Sequence, residues 1–199
     1  MNLNDMNPEA MPHKKIAGIP SYLEEYESDI GIGHVVELRL HNPRYKEIFS
    51  KERDRITSAF GQLPISLHHV GSTSVEGLYA KPIIDILLTY PESVPFENVK
   101  QALTDQGYIF RDDLLPNRTY FVLENDDKVR YFSITVCMSD DAQAKEILAF
   151  RDNLRQNSSI LDEYAAIKRR LSGETANRQD YTNQKSAFIQ QYSKQRSSV

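Results

Sequence analysis

His69-Val70-Gly71-Ser72-Thr73-Ser74, followed by Lys81-Pro82-Ile83-Ile84-Asp85-Ile86-Leu87, is the stretch on which the fold of this chain turns. A Gly-Ser turn leads to a single acid inside an apolar strand. Gly71 lets backbone come close to an anion, and the Ser72 and Ser74 hydroxyls and nearby N–H groups can donate to phosphate oxygens. Thr73 belongs to the same candidate phosphate-binding set. Asp85 is a hard oxygen ligand suited to Mg²⁺. The pairing points to a nucleotidyltransferase site, yet two-metal phosphoryl transfer normally uses more than one carboxylate and the motif supplies one. The plainer reading is a tight turn entering a buried strand. An acid within Ile83-Ile84-Asp85-Ile86-Leu87-Leu88 is costly unless it is paired or bound to metal.

Working outward, Asp85 is read as a catalytic residue acting as a metal ligand, or as a buried acid capped by Ser72 or Lys81. Lys81 is a point charge for a triphosphate, or a solvated strand flank. His69 is a base, a ligand or an orienter, or a core-edge histidine bonded to backbone. His68 points to the opposite strand face, so the two imidazoles do not chelate one ion. Arg118, Arg130, Arg151, Lys168 and Lys185 are candidate phosphate partners that folding can bring together, or solvated charges. The five histidines and Cys137 lack zinc-ligand spacing.

The 199 residues fit one domain with a helical appendage, and 40% hydrophobic with 26% charged residues describes an ordinary soluble globular protein. A net charge of −4 supplies no global basic field, which argues against nucleic acid as a partner while leaving a small nucleotide open. A single cysteine, Cys137, fits a reducing cytoplasm, and its apolar surroundings predict an inert buried thiol. No 18-residue apolar run exists, so no transmembrane helix is expected, and the opening residues do not resemble a secretory signal.

Residues 1–33, punctuated by proline and glycine, read as a tail with at most a helical turn near Tyr22–Tyr26, and 34–199 as the folded domain. Alternation predicts a strand from His34 to Leu40, and Asn42-Pro43 opens a helix to about Phe60. Strands follow at 65–70 and 82–89, with a helical turn at 74–78 between them. A helix at 94–106 stops at Gly107, a strand starts at Tyr108, and two strands flank the turn Asn125-Asp126-Asp127-Lys128. Helices are placed at about 140–156, 158–172 and 176–195. The class is α+β, or mixed α/β, with a helical C-terminal third.

The run from His69 to Asp85 resembles the GrpB family's His-Ile-Gly-Ser-Thr-Ser-Val-Pro-Gly-Leu-Ala-Ala-Lys-Pro-Ile-Ile-Asp. Leu148 to Arg155, Tyr164 to Leu171 and Tyr181 to Phe188 are similar to three later elements of that family, in the same order. The resemblance covers residues 34 to 192. It implies a DNA-polymerase-beta-like nucleotidyltransferase fold, a mixed sheet flanked by helices, and leaves the acceptor open. It also raises Arg151, Lys168 and Lys185 as nucleotide-binding candidates. This chain departs from the wider superfamily's pattern. Leu87 stands where a second acid is expected, and Ser133 and Thr135 stand near a His-x-His pair. Hydroxyls are weak neutral ligands, so metal affinity should fall. Glu76 replaces proline beside the turn and adds negative charge there.

Three functions are therefore weighed. The first is a Mg²⁺-dependent nucleotidyltransferase that takes a nucleoside triphosphate, or another phosphorylated small molecule. The second is a non-catalytic nucleotide or anion-binding module on the same fold. The third is an interaction protein using its tail and C-terminal helices.

Overall fold

The computed structural model describes residues 19–33, 38–111, 119–173, 188, 191 and 192. Five strands form one mixed sheet: β1 (Ser66–Val70), β2 (Ile84–Tyr90), β3 (Ile109–Phe110), β4 (Thr119–Glu124) and β5 (Arg130–Met138). The α-helices α1 (Arg44–Phe60), α2 (Phe96–Asp105), α3 (Ala142–Gln156) and α4 (Ser158–Gly173) accompany them. The strand order is β1-β2-β5-β4-β3. Only the central pair, β2 with β5, runs parallel; the other neighbours are antiparallel. The α+β class and the mixed sheet flanked by helices are as expected.

The apolar run around Asp85 divides its side chains between two faces, as strand alternation requires. Ile84, Ile86 and Leu88 enter the main core under α1 and α2. Leu87 points the other way, into a smaller cluster with Val70, Cys137 and Ala144 beneath α3. Cys137 is buried, with its thiol on Gln143 Oε1 at 3.3 Å, in keeping with an inert thiol. Local signals set the helix starts. Asn42 Oδ1 accepts the Arg44 N–H at 3.0 Å, and Asp141 Oδ1 accepts the Gln143 N–H at 2.8 Å, satisfying amides at the two helix N-termini.

Residues 19–33 correct the expected tail. Ser21–Tyr26 forms a 3₁₀ turn, and Leu23, Tyr26 and Ile30 lie in the main core. Leu23 and Tyr26 are fully buried, and Ile30 nearly so. A fully buried carboxylate helps to bind this segment: Glu52 accepts from Tyr22 Oη at 2.5 Å, Tyr108 Oη at 2.7 Å and Arg55 at 2.6 and 2.9 Å. A buried charge is tolerated when its lone pairs are this well filled.

Two further expectations shift. The helical turn expected at 74–78 lies at Ser72–Ser74, because Ser74 Oγ donates back to the Gly71 carbonyl at 2.7 Å and Val75 is already extended. Of the strand expected at 34–40, residues 34–37 lie outside the described set, and Arg39 makes an isolated antiparallel bridge to Ala80. The helices expected at 140–156 and 158–172 are α3 and α4, whereas the one at 176–195 falls largely outside the described residues. Among the described residues no helix is long and apolar enough to cross a membrane.

Candidate functional site

Gly71 leaves β1 with φ +68° and ψ −169°, a conformation essentially reserved for glycine. The backbone there passes against the side chain of Asp85, its neighbour across the β1–β2 ladder being Val70. The 3₁₀ turn that follows is held from inside. Thr73 Oγ1 donates to the Ile83 carbonyl at 3.1 Å, which ties the turn to the segment entering β2.

Lys168 arrives from α4. Its ammonium donates to Ser72 Oγ at 2.7 Å and to the Tyr79 carbonyl, and the residue is 3% exposed. The aromatic cluster of Phe150, Tyr164 and Phe188 packs α3 and α4 against Val75 and Leu78, which fixes that reach. A polar cleft of about 240 Å³ results, lined by Ser72, Thr73, Lys81, Asp85, Arg130 and Lys168, with Tyr120 and Ser133 on its sheet floor. Among the described residues Asp85 is the one carboxylate that lines it, against the cations of Lys81, Arg130 and Lys168. Burial, and then the nearby Asp85 charge, hold the Tyr120 phenol above its ordinary pKa, so it stays a protonated donor.

The structure thus brings Gly71, Ser72, Thr73, Lys81, Asp85 and Lys168 close together. Ser74 is turned inward onto Gly71. Arg118 and Lys185 lie outside the described residues. Arg130, another of the candidate phosphate partners, lines the cleft too, and Tyr120 and Ser133 complete it. Their signal lay in β-sheet register, since Ser133 pairs directly with Asp85.

His69 and Arg151 separate from this group. Alternation puts His69 on the sheet face opposite Asp85, where it stacks on Phe49 with ring centroids 4.9 Å apart. Its Nε2 lies 3.1 Å from Thr73 Oγ1. The Thr73 proton goes to Ile83, so the hydroxyl accepts from an Nε2–H tautomer. Burial, followed by the charges of Arg155, His41 and Arg151, pushes the His69 pKa down to about 3. A neutral imidazole so weakly basic orients Thr73; it is a poor general base. Arg151 instead donates to the His69 carbonyl at 3.2 Å and pairs with Asp152 at 2.8 Å.

The oxygen donors around Asp85 fit one Mg²⁺ carried in with phosphate oxygens, since Mg²⁺ is often held by one carboxylate plus substrate. Among the described residues they do not supply a two-metal site: Leu87 is fully buried and Ser133 and Thr135 carry no charge. Among the described residues no group of three or more His, Cys, Asp or Glu side chains could hold a metal by itself.

A family profile described as GrpB protein matches residues 35–195. The UPF0157 protein BH1888 of Halalkalibacterium halodurans is 36% identical over 163 residues, covering 80% of this chain and 81% of that protein. Glutamate-rich protein GrpB of Alkalihalophilus pseudofirmus is 29% identical over 164 residues, covering 79% and 92% respectively. The crystal structure of conserved protein GrpB from Enterococcus faecalis is similar with a TM-score of 0.67 at 28% identity, covering 79% of this chain and 95% of that one.

Proposed function

The chain belongs to the GrpB family, and because a glycine turn, a carboxylate and a buried lysine meet in one of its clefts, we propose that it binds the phosphates of a nucleoside triphosphate there and transfers a nucleotidyl group to an acceptor. The observation that carries this reading is Lys168 Nζ on Ser72 Oγ. A helix from the far end of the chain delivers a buried cation to the Gly-Ser turn, where it offsets the charge of phosphate oxygens placed beside it.

Each group has a part. Ser72 and the turn amides donate to phosphate oxygens, while Lys81, Arg130 and Lys168 neutralise charge. Tyr120 supplies a neutral donor. Asp85 would hold a Mg²⁺ ion, which when bound draws charge from the phosphates. Positioning and charge neutralisation are the main requirements of phosphoryl chemistry, and this cleft is equipped for both.

A second reading, nucleotide binding without turnover, is favoured by the residues around Asp85. With Leu87, Ser133 and Thr135 around it, Asp85 has no companion acid lining the cleft among the described residues.

Isothermal titration of ATP, GTP, CTP and UTP, with and without Mg²⁺, on the wild type and Asp85→Asn tests both, joined to a pyrophosphate-release assay. Mg²⁺-dependent binding that Asp85→Asn abolishes, with pyrophosphate release, supports transfer. Binding without release supports the second reading. No binding to the wild type removes both.

A further inference from the structure

A second cleft lies on the other side of the Gly-Ser turn from Asp85. At about 790 Å³ it is more than three times larger than the first, and within the usual range for small-molecule sites. Thr73 borders both. One wall is α1, the other α3, and β1 with its two histidines forms the floor.

The charge on these walls is one-sided. Lys46 and Arg53 are seven residues apart on α1, two helical turns, so they share a face. Arg151 and Arg155 are four apart on α3 and share another. Against these four cations the cleft is lined by one carboxylate, Glu76, among the described residues. Asp152 engages Arg151, and exposed Asp54 engages Arg53, a pairing weak enough to exchange. Lys46 and Arg155 form no ion pair among the described residues. Arg155 spends Nε and Nη2 on the Ser74 carbonyl at 3.0 and 2.8 Å, which fixes its guanidinium at the cleft and leaves N–H groups over. Partial desolvation, and then the neighbouring Arg151 charge, lower its pKa.

The rest of the lining combines the polar side chains of His41, Ser50 and Ser74 with an apolar set. Phe49, Leu67, Val75, Leu154 and Leu161 form that set, and the Phe49 ring is already stacked on His69. A cationic rim beside these apolar side chains suits an anion with an organic body.

We propose that this cleft is a binding site for a phosphorylated organic molecule, held at its phosphate by Lys46, Arg53 and Arg155 and at its apolar body by Phe49, Leu67 and Leu154. The site does not depend on the reading of the Asp85 cleft, because the two sets of side chains are separate apart from Thr73.

Phenyl phosphate is the probe, with inorganic phosphate and phenol as the two halves of it. Methyl and amide NMR shifts report where it binds, and titration reports how tightly. The expected result is saturable movement of Leu67 and Leu154 methyl signals, with phenyl phosphate tighter than either half. Lys46→Gln and Arg155→Gln should each weaken it about tenfold, the size of one lost charge-assisted contact. Asp85→Asn should leave the Leu67 and Leu154 shifts in place. Lys46 is exposed and takes no part in packing, so its variant separates lost binding from a disturbed turn. Shifts confined to Lys81 and Ser133, equal affinity for Lys46→Gln and wild type, or no saturation at all would overturn the proposal.

Discussion

Gly71 and Asp85 are locked together by the absence of a side chain. A Cβ on residue 71 would stand 2.9 Å from both Cβ and Cγ of Asp85, and closer still to its Oδ2. The carboxylate therefore owes its place to a missing methyl group.

Gly71→Ala should both strain the backbone and push Asp85 aside. The φ of +68° with ψ near −169° costs a non-glycine residue about 1–3 kcal/mol, before any clash. A chain of this length loses about 2–4 °C in Tm per kcal/mol, so thermal unfolding is the first readout. The metal-dependent nucleotide binding proposed at Asp85 should fall further than the Tm loss accounts for.

Lys168→Met should loosen the turn. It keeps the length of the stem but removes the donors to Ser72 Oγ and the Tyr79 carbonyl. The expected loss is about 1–3 kcal/mol, the cost of stranding buried acceptors. Urea unfolding measures it, and amide exchange at Thr73 and Ser74 should quicken. Lys168→Arg is expected to rescue poorly, since a planar fork does not fill the place of a compact ammonium.

Glu52→Gln should be the most damaging of these changes. Tyr22, Tyr108 and Arg55 all donate to this carboxylate, and neutralising it leaves Arg55 without its ion pair. About 3 kcal/mol is expected, the low end for breaking a buried pair, because Arg55 is 21% exposed. Loss of the 19–33 packing should follow, visible as protease cleavage in that segment.

The same network sets an alkaline limit. Burial and the Glu52 charge raise the pKa values of Tyr22 and Tyr108 above their ordinary value. Above about pH 10 the unfolded chain releases these protons and the folded chain keeps them. The unfolded state then binds fewer protons, so stability falls as pH rises, by up to about 1.4 kcal/mol per pH unit for each tyrosine. Tyr22→Phe should flatten that slope in denaturation curves between pH 9 and pH 11, a window of roughly one unit on either side of the tyrosine pKa.

His69 sets the acid counterpart. Its folded pKa near 3 lies below the unfolded value of about 6.5. Below that unfolded value the denatured chain takes up a proton that the native one refuses. Stability is thus complete above about pH 6.5 and declines towards pH 3, with a slope of at most about 1.4 kcal/mol per pH unit from this group. Imidazole ¹⁵N shifts at pH 5 should still show a neutral ring protonated at Nε2, and His69→Gln should reduce the acid slope.

Much of the fold was legible because local chemistry and tertiary packing agree. The apolar run through Asp85 predicts burial on both faces, and Ile86 and Leu87 indeed enter different clusters. The turn Asn125–Lys128 joins β4 to β5, with Asn125 Oδ1 accepting the Val129 N–H at 2.9 Å. Residues 19–33 misled because proline, glycine and acids dominate their composition. Their real signal was sparse: Leu23, Tyr26 and Ile30 at helical intervals, with Tyr22 beside them. The Gly-Ser turn and Asp85 could be found along the chain because they are close in sequence. Assigning Asp85 and His69 to one chemistry failed on strand alternation, which sends them to opposite faces. Arg130 and Ser133 join the cleft by register, and Arg155 meets Lys46 across a cleft built from distant helices. Spacing carries no trace of such meetings.

The parallel pairing of β2 with β5 has a consequence for how the site comes into being. Asp85 finds Ser133 only after α2, β3 and β4 have been laid down between them. Parallel neighbours need such a crossover, and long-range pairing makes their closure slow. A peptide spanning Ser66–Tyr90 would carry the entire Gly-Ser signature yet have no cleft, and a nascent chain acquires one only once β5 and, after it, Lys168 of α4 have emerged. Ligand affinity during refolding should therefore return with the last cooperative phase, in step with burial of Phe132 and Ile134 at the centre of the sheet.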